Sequence, residues 1–424
     1  MSTQAIDQPF VSSTALRSVN FFNGRLLTGD DMSREQATQE ARVDRLGRAL
    51  GDGVAWGFEV AQQLAASPDT SHPVVTVSAG LAVNREGTTL ELPADVDVAL
   101  YRDASAAPAG AESGNLFADC QPFATGTYTA GAGVYLLTVG PAAQQGEGRA
   151  PVNGLGNEAA PCNVALEAEA LQFRLIRLAL THDELLDKAH LRSHVASLCF
   201  DAPALAGAIV DPFGTPVTSW GLVDTLRTQT LTDAEVPLAT IGWSVDDGIE
   251  FVDLWSVRRR LTRRAGEGDW TSVAGDRRRS DGEARFLQFQ AQLADLADPA
   301  NDPASMAATA ALEQLPPAGI VPLSTSHAPA GFDETAFFQG LTVTEMPMVI
   351  EGAKLDDLVV QSFAFPPIDL ASDEAIRLYL VRENEQAGTG QPYVVFANGH
   401  VPYRADAEFD LAYWDYANYA RAYC

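Results

Sequence analysis

The feature that most constrains the fold is a pair of apolar runs, Val236–Trp243 and Ile249–Val257, separated by the residues Val-Asp-Asp-Gly at 245–248. An Asp-Gly pair between two β-forming runs is a strong signal for a tight hairpin, because its turn favours residues that tolerate a positive φ. The hairpin commits this part of the chain to an antiparallel sheet. A second turn, Arg-Glu-Gly at 85–87, lies between shorter β-forming runs and predicts another hairpin.

The period of the apolar residues predicts the remaining elements. Helices are expected at Asp30–Leu50, Asp183–Leu198 and Glu283–Leu296. Thr28 or Asp30 is the expected N-cap of the first helix, and residues 15–27 before it are predicted to be a strand that runs into a turn. The other strands are expected at Val54–Val60, Val74–Val77, Gly80–Val83, Thr88–Leu92, Val96–Tyr101, Val134–Val139, Leu341–Ile350, Leu358–Phe365, Ala375–Arg382 and Tyr393–Ala397. The run Val164–Leu180 is interpreted as two strands or one bent strand.

At 424 residues the chain is too long for one ordinary core, so we predict an α+β, mainly β protein with more than one domain. Residues 1–260 are interpreted as an antiparallel, β-rich N-terminal assembly domain with helices near 30–50 and 183–198. Residues 261–315 hold an Arg-rich segment and a helix, and an Ala- and Pro-rich linker begins at residue 297. Residues 316–424 are expected to form a β-rich, β-sandwich-like C-terminal domain with an aromatic tail.

The net charge of −28 comes from 56 Asp and Glu residues against 28 Lys and Arg residues. A surface this acidic repels phosphate, which argues against nucleic acid as a partner. Apolar residues make up 46% of the chain, as in an ordinary globular protein. No apolar run approaches the ~18 residues of a membrane span, and the first residues have neither the basic nor the apolar region that would predict a signal peptide. We therefore expect cytoplasmic synthesis without a membrane span, and contact with a membrane or cell surface only through other proteins.

Catalytic motifs are missing from the sequence. It contains neither a Gly-x-Ser-x-Gly nucleophile elbow nor a Walker A loop. The four cysteines are far apart and form no Cys-x-x-Cys pair, so we expect buried free thiols rather than a zinc site. His190 and His194 share a helix face but lack the glutamate of a His-Glu-x-x-His site, and are interpreted as surface histidines. No catalytic, cofactor-binding or metal-binding residue is assigned, and the chain is not predicted to be an enzyme.

A cluster of eight arginines at residues 258–279 stands out in so acidic a chain. Apart from Trp270, the cluster lacks the aromatic side chains that would stack on nucleic-acid bases. Arginine also pairs bidentately with carboxylates at protein interfaces, and we favour an acidic neighbour such as a second copy of the chain. The interface candidates in this cluster are Arg258, Arg259, Arg260, Arg277, Arg278 and Arg279.

Two other segments supply apolar interface candidates. Residues 413–423 at the C-terminus contain five aromatic side chains, whereas chain ends are usually polar. Such a tail either folds back onto its own domain or docks on a partner. The candidates in it are Trp414, Tyr416, Tyr419 and Tyr423. Leu46 is a further candidate, because it lies in a thin apolar stripe on the Asp30–Leu50 helix that would not stabilise the helix alone.

The segment Phe21–Met32, with the sequence Phe-Phe-Asn-Gly-Arg-Leu-Leu-Thr-Gly-Asp-Asp-Met, precedes a Gln-containing helix and a Gly-rich turn into the strand of Gly51–Val60. This order resembles the N-terminus of a protein family encoded in phage and phage-tail-like gene clusters. The chain is less similar to the type VI secretion baseplate subunit that contacts the membrane complex, a trimer with a β-rich shell and a helical neck. It departs from the glycine pattern of these proteins at Val54-Ala55-Trp56. The other segments that fit the resemblance are Val236–Ala239, Phe251–Asp253, Val257–Arg259, Leu315–Pro322 and Phe337-Phe338.

The resemblance implies a non-catalytic structural component of a phage-tail-like contractile injection system, associated with the baseplate or forming an accessory cage or anchor. It implies self-association, contacts with other proteins of the particle, and no cofactor. The particle would be assembled in the cytoplasm, with lysis as one route of release. One alternative stays open, a carbohydrate-binding or carbohydrate-cleaving β-protein displayed on such a particle, because no catalytic pair can be selected among 56 acids.

Overall fold

The computed structural model describes residues 15–62, 73–100, 132–147, 166–201, 211, 213, 221–244, 246–262, 276–326, 328, 330–344, 347–371, 375–388 and 390–398. These residues form an α+β fold in which antiparallel sheets predominate, as predicted. The helices are α1 (Gly29–Leu50), α2 (His182–Leu186), α3 (Leu191–Phe200), α4 (Leu222–Arg227), α5 (Asp276–Leu296), α6 (Glu334–Phe337), α7 (Leu355–Ser362) and α8 (Arg382–Ala387).

The strands fall into an N-terminal and a C-terminal group. The first group comprises β1 (Gly53–Gly57), β2 (Val60–Gln62), β3 (Val74–Val77), β4 (Gly80–Val83), β5 (Thr89–Leu92), β6 (Val96–Ala99), β7 (Gly133–Glu147), β8 (Leu166–Arg177), β9 (Val236–Ser244) and β10 (Gly248–Asp253). The second comprises β11 (Gln314–Leu315), β12 (Ala318–Pro322), β13 (Met348–Ile350), β14 (Ile368–Asp369), β15 (Ile376–Val381) and β16 (Tyr393–Asn398). Each sheet contains strands of one group only.

The central N-terminal sheet has the strand order β10-β9-β7-β8 and is antiparallel throughout. Strand β9 lies between β10 and β7, and its residues Val236–Trp243 are all buried, which explains why nearly all of them are apolar. Two three-stranded antiparallel sheets, β1-β4-β5 and β2-β3-β6, complete this half. The three sheets enclose a first core that contains Phe58, Leu90 and Leu137.

Both predicted hairpins are confirmed. Strands β9 and β10 pair up to their turn, where Gly248 has a φ of 75° that favours glycine. Strands β4 and β5 pair likewise, with Gly87 at a φ of 92°. The helix predicted at Asp30–Leu50 is confirmed as α1, with Thr28 as its N-cap.

Three predictions for the N-terminal half are wrong. The strand expected at Val54–Val60 is divided into β1 and β2, which belong to different sheets, because Phe58 between them has a left-handed φ of 54°. Residues 15–28 contain no strand, and the chain reaches α1 through irregular backbone and one turn. The helix expected at Asp183–Leu198 is divided into α2 and α3, because Thr181 and Glu184 form a capping box that begins a separate short helix. The run predicted at Val164–Leu180 forms one strand, β8, which pairs with β7 across a bulge.

The larger C-terminal sheet has the order β12-β16-β15-β13, in which only β13 runs parallel to its neighbour. Leu378 and Phe396 point from it into a core shared with Phe289 of α5. Tyr379 points to the opposite face, into a core that includes residues of α7. Helices rather than a second large sheet therefore pack on the faces of this sheet.

Other C-terminal predictions differ from the structure. The strand predicted at Leu358–Phe365 is wrong, since this segment lies mainly in helix α7, whose Leu358 and Ser362 are buried one turn apart. The strand predicted at Leu341–Ile350 is reduced to β13. The Ala- and Pro-rich segment from residue 297 is packed rather than extended, with three 3₁₀ turns and Leu312 buried in the second core.

Helix α5 contacts both halves of the protein. Its Ala284 packs against Phe200 of α3, and its Phe289 and Leu293 lie in the C-terminal core. The helix begins at Asp276, seven residues before the predicted Glu283, so it also carries three of the candidate arginines. The domain boundaries expected near residues 261 and 316 stay predictions. Among the described helices, none combines the length and apolar character that crossing a membrane requires.

Candidate assembly surface

Helix α1 is well defined by its own capping. The Thr28 hydroxyl accepts a hydrogen bond from the Asp31 amide, and the Asp31 carboxylate accepts one from the Thr28 amide. Arg25 adds an ion pair with Asp31 at 2.6 Å. The Thr28 amide and the Arg25 guanidinium lower the pKa of Asp31 below its usual value. These contacts fix where the helix begins and hold the turn before it against its first residues.

The rest of the fold holds α1 by few contacts. Of its 22 residues only Thr38 and Gly47 are buried. The Thr38 hydroxyl donates to the Arg17 carbonyl at 3.0 Å, while Gly47 packs so closely on Gly87 that a Cβ would lie 2.0 Å from the Gly87 oxygen. Arg48 donates to the Glu86 carbonyl at 2.7 Å. The helix therefore rests on the β4–β5 turn near its C-terminal end, and most of its surface is open.

The apolar stripe predicted on α1 faces away from the fold. The predicted members Met32, Val43, Leu46 and Leu50 are exposed by 52% to 63%, and the fifth, Ala37, is also exposed. Gln36 and Gln39 are also exposed and lie between Met32 and Val43 in the same stripe. From Met32 to Leu50, successive residues of the stripe are separated by four and three positions in turn. This is the spacing of the a and d positions of a coiled coil, in which the stripe packs against a partner helix. The stripe that contains Leu46 is therefore accessible to a partner.

The irregular arm of residues 15–28 extends this apolar surface. Four of its side chains are at least half exposed, namely Phe21 (54%), Phe22 (63%), Leu26 (89%) and Leu27 (51%). Monomeric proteins rarely expose contiguous apolar patches larger than roughly 300–600 Å², and larger ones mark interaction sites. We call the arm and the stripe of α1 the N-terminal apolar surface. Sequence reasoning missed its arm, since residues 15–27 were predicted to be a strand.

Two of the candidate arginines, Arg258 and Arg259, have their partners within the same chain. Arg258 is 8% exposed and donates to the carbonyls of Gly57 and Phe58, at 2.7 Å and 3.3 Å. These bonds support Phe58 in its left-handed conformation, with a φ of 54°. Arg259 pairs with Asp281 at 2.5 Å. The carboxylates expected on a neighbouring molecule are thus replaced, for these two arginines, by groups of the protein itself.

Arg277 joins the same internal network. Its Nε lies 3.1 Å from Asp281, and its guanidinium is 3.8 Å from Asp224, which also pairs with Arg85 at 2.6 Å. Although burial raises the pKa of the Asp281 carboxyl, the charges of Arg277 and Arg259 outweigh this effect and the pKa is lowered. The network links α4, α5 and the β4–β5 turn by ion pairs, most of which are shielded from water.

The remaining candidates divide into surface residues and residues outside the described part. Arg260 is 58% exposed by its side chain and pairs with Glu283 at 2.8 Å. Arg279 is exposed, and Arg278 is half-buried. The aromatic candidates Trp414, Tyr416, Tyr419 and Tyr423 lie outside the described residues, as do Arg263 and Arg264.

The two histidines tether α3 and its N-cap to the third 3₁₀ turn, Ala308–Ala310, and to the residues that follow it. The His194 ring lies 2.7 Å from Glu313 and 3.2 Å from Glu184, and the His190 Nε2 lies 3.1 Å from the Thr309 carbonyl. That carbonyl raises the pKa of His190. Within the described ranges, no group of three or more His, Cys, Asp and Glu side chains is arranged to hold a metal ion. The contacts of His190 and His194 with the protein itself are structural.

A cavity of about 40 Å³ lies beside the arginine network, lined by Arg85, Arg227, Arg259 and Arg277. Cys199 also lines it and is a buried free thiol, which confirms the prediction for this cysteine. Burial raises the pKa of Cys199 to about 12, so the thiol is protonated and unreactive at neutral pH. The space is sufficient for a few water molecules.

No protein-family model matches the sequence, and no curated protein shows significant similarity to it.

Proposed function

We propose that the protein is a non-catalytic structural subunit that assembles through its N-terminal apolar surface, as part of a phage-tail-like contractile injection system. The observation that carries the proposal is the exposure of that surface. Leu46 and Phe22 are each 63% exposed, and Leu26 is 89% exposed. Burying one such side chain against a partner lowers the free energy by roughly 1.5–3 kcal/mol. The burial of these side chains therefore favours association.

The spacing of the α1 stripe favours a second copy of the chain as the partner. Two identical helices can pack their stripes together, because each presents the same alternation of four and three residues. The polar member Gln36 fits such a contact, since an amide side chain both donates and accepts a hydrogen bond and can pair with its own copy. The eight large apolar side chains of the arm and the stripe, each at least half exposed, all lie along this one segment of the chain.

The kind of assembly is inferred from the sequence resemblance. The segment Phe21–Met32 that carries the resemblance includes most of the exposed arm. In this proposal the same residues that resemble the phage-tail-like family form the contact. Baseplate attachment and an accessory cage or anchor are the two positions that the resemblance implies.

The proposal is tested by measuring mass against concentration with light scattering on the purified chain. We expect an oligomer whose mass falls when Leu46→Glu places a charge in the stripe. Leu186 on α2 is a matched control, because it is a leucine with the same 63% exposure but lies outside the N-terminal apolar surface. Leu186→Glu should leave the mass unchanged. Self-assembly would be refuted if the wild-type chain stayed monomeric at every concentration and had the same mass as both variants.

The position in a particle needs a second experiment. Co-purification of the chain with sheath, tube and baseplate proteins encoded beside its gene would support the injection-system part of the proposal. A genomic neighbourhood without such genes, combined with a stable oligomer in solution, would refute that part while leaving self-assembly intact.

A further inference from the structure

A second small cavity lies where α3, α5 and β11 meet, at the contact between the N-terminal and C-terminal parts of the protein. Its volume is about 20 Å³, which is enough for one small ion or one water molecule. The polar side chains that line it are Ser193, Arg285, Gln288 and Gln314. All of its lining residues belong to the described part of the chain, and none of them is acidic.

Arg285 is a buried cation whose hydrogen-bonding capacity is largely unused. It is 4% exposed, and its Nη2 donates to the Phe200 carbonyl at 2.7 Å. Its Nε and Nη1 are buried and have no hydrogen-bond partner. Burial lowers the pKa of Arg285 to about 10, so the side chain still carries its charge at neutral pH. A buried guanidinium in this state requires a counter-charge, because desolvation of an unpaired ion is costly.

The nearest buried carboxylate is already occupied. Asp281 accepts from Arg259 at 2.5 Å and from Arg277 at 3.1 Å. Arg259 also lies over the Phe200 ring at 4.7 Å, the same distance as Arg285. Two guanidinium groups thus flank one ring, and among the described residues no carboxylate lies within ion-pair distance of Arg285. The carboxylates of Asp281 and Asp201 act on Arg285 only from beyond ion-pair distance.

The other polar groups of the cavity can also donate. The Ser193 hydroxyl accepts a hydrogen bond from the Glu313 amide at 3.0 Å, which leaves its own hydrogen available. The Gln314 side chain adds an amide group. Gln288 contributes less, because its Nε2 already donates to Asp253 and to Gln292, both at 2.9 Å. Arg285 and Ser193 therefore present unused donors in a cavity the size of one ion, which is what an anion site requires.

We propose that this cavity binds one small inorganic anion of the size of chloride, held by Arg285 together with Ser193 and Gln314. The anion supplies the negative charge that the lining residues lack. Its ligands come from α3, α5 and β11, so binding connects the two parts of the protein. This inference is independent of the assembly proposed above.

Thermal unfolding of the full chain in sodium chloride and in sodium gluconate, at equal ionic strength, tests the proposal. Gluconate is too large for the cavity, so the unfolding midpoint should be higher in chloride and should rise with chloride concentration until the site is saturated. Arg285→Met should abolish this difference. Arg382→Met is the control, since Arg382 forms a surface ion pair with Glu351 at 3.0 Å and should keep the full chloride effect.

A second readout covers the case in which Arg285→Met does not fold. Ser193→Ala removes one donor and should weaken chloride binding several-fold, measured directly by broadening of the ³⁵Cl NMR line. Equal unfolding midpoints in the two salts would overturn the proposal and assign the cavity to water. The same conclusion would follow if wild-type protein broadened the ³⁵Cl line no more than Ser193→Ala.

Discussion

Replacing Asp281 with asparagine should destabilise the protein strongly, because this one carboxylate neutralises two arginines away from water. The Asp281 side chain is 6% exposed, and it accepts from Arg259 at 2.5 Å and from Arg277 at 3.1 Å. The Arg259 side chain is itself only 11% exposed, so little water can replace the lost charge. Removing one partner of a buried ion pair costs about 3–5 kcal/mol. Asparagine keeps one acceptor oxygen, and we therefore expect a loss of about 3 kcal/mol.

The loss is measured as the difference in unfolding free energy by urea denaturation, followed by tryptophan fluorescence. Glu351→Gln is the control, because Glu351 pairs with Arg382 at the surface, where both side chains are about half exposed. Breaking that pair should cost about 0–1 kcal/mol. If Asp281→Asn loses no more free energy than this control, the network does not stabilise the fold and the reasoning fails.

The pH dependence gives an independent check on the same residue. The pKa of Asp281 is lowered in the folded protein, so its contribution is present above the unfolded pKa of about 3.9 and is lost as the pH falls through the folded value. The free-energy gap between wild type and Asp281→Asn should therefore narrow below about pH 4. A gap that stays constant into the acid range would contradict the assignment of a charged Asp281.

Two further predictions concern contacts that position α1 and α3. Gly47→Val should detach α1 from the β4–β5 turn, since a Cβ at Gly47 would lie 2.0 Å from the Gly87 oxygen. Limited proteolysis should then cleave within residues 15–50 faster than in the wild type. An unchanged cleavage rate would contradict this prediction. His190→Gln should cost stability mainly at low pH. The pKa of His190 is raised, so its contribution is complete below the unfolded value of about 6.5 and is lost as the pH rises through the folded value. Denaturation at several pH values checks this, and a difference independent of pH would be inconsistent with it.

Local signals in the sequence were sufficient for the hairpins and for α1. The Asp-Gly turn before β10 and the Thr28–Asp31 capping pair act within a few residues, so neighbouring side chains determine them. Local signals were not sufficient for the segment Leu358–Phe365. A short apolar run has no periodicity that separates a strand from a buried helix, and here packing against the C-terminal sheet selects a helix.

The arginine cluster illustrates a second limit. Arg277 and Asp281 are four residues apart on one helix, and this spacing was visible in the sequence. Arg259 reaches the same carboxylate from 22 residues away, and Arg85 reaches Asp224 from 139 residues away. Such pairs are determined by the tertiary fold. A run of like charge in the sequence therefore indicates a need for counter-ions without indicating whether they belong to the same chain.

The distribution of polar and apolar groups connects these observations to assembly. The interior contains charged side chains such as Asp281 and Asp253, which a single-chain core would normally exclude. The surface meanwhile exposes Leu26 by 89% and Leu46 by 63%, which a monomer would normally bury. The internal ion pairs have their partners, so they require no second molecule. The N-terminal apolar surface has no such partner among the described residues, and covering it would lower its free energy in water. This asymmetry is why we assign association to the arm and α1 and not to the arginines.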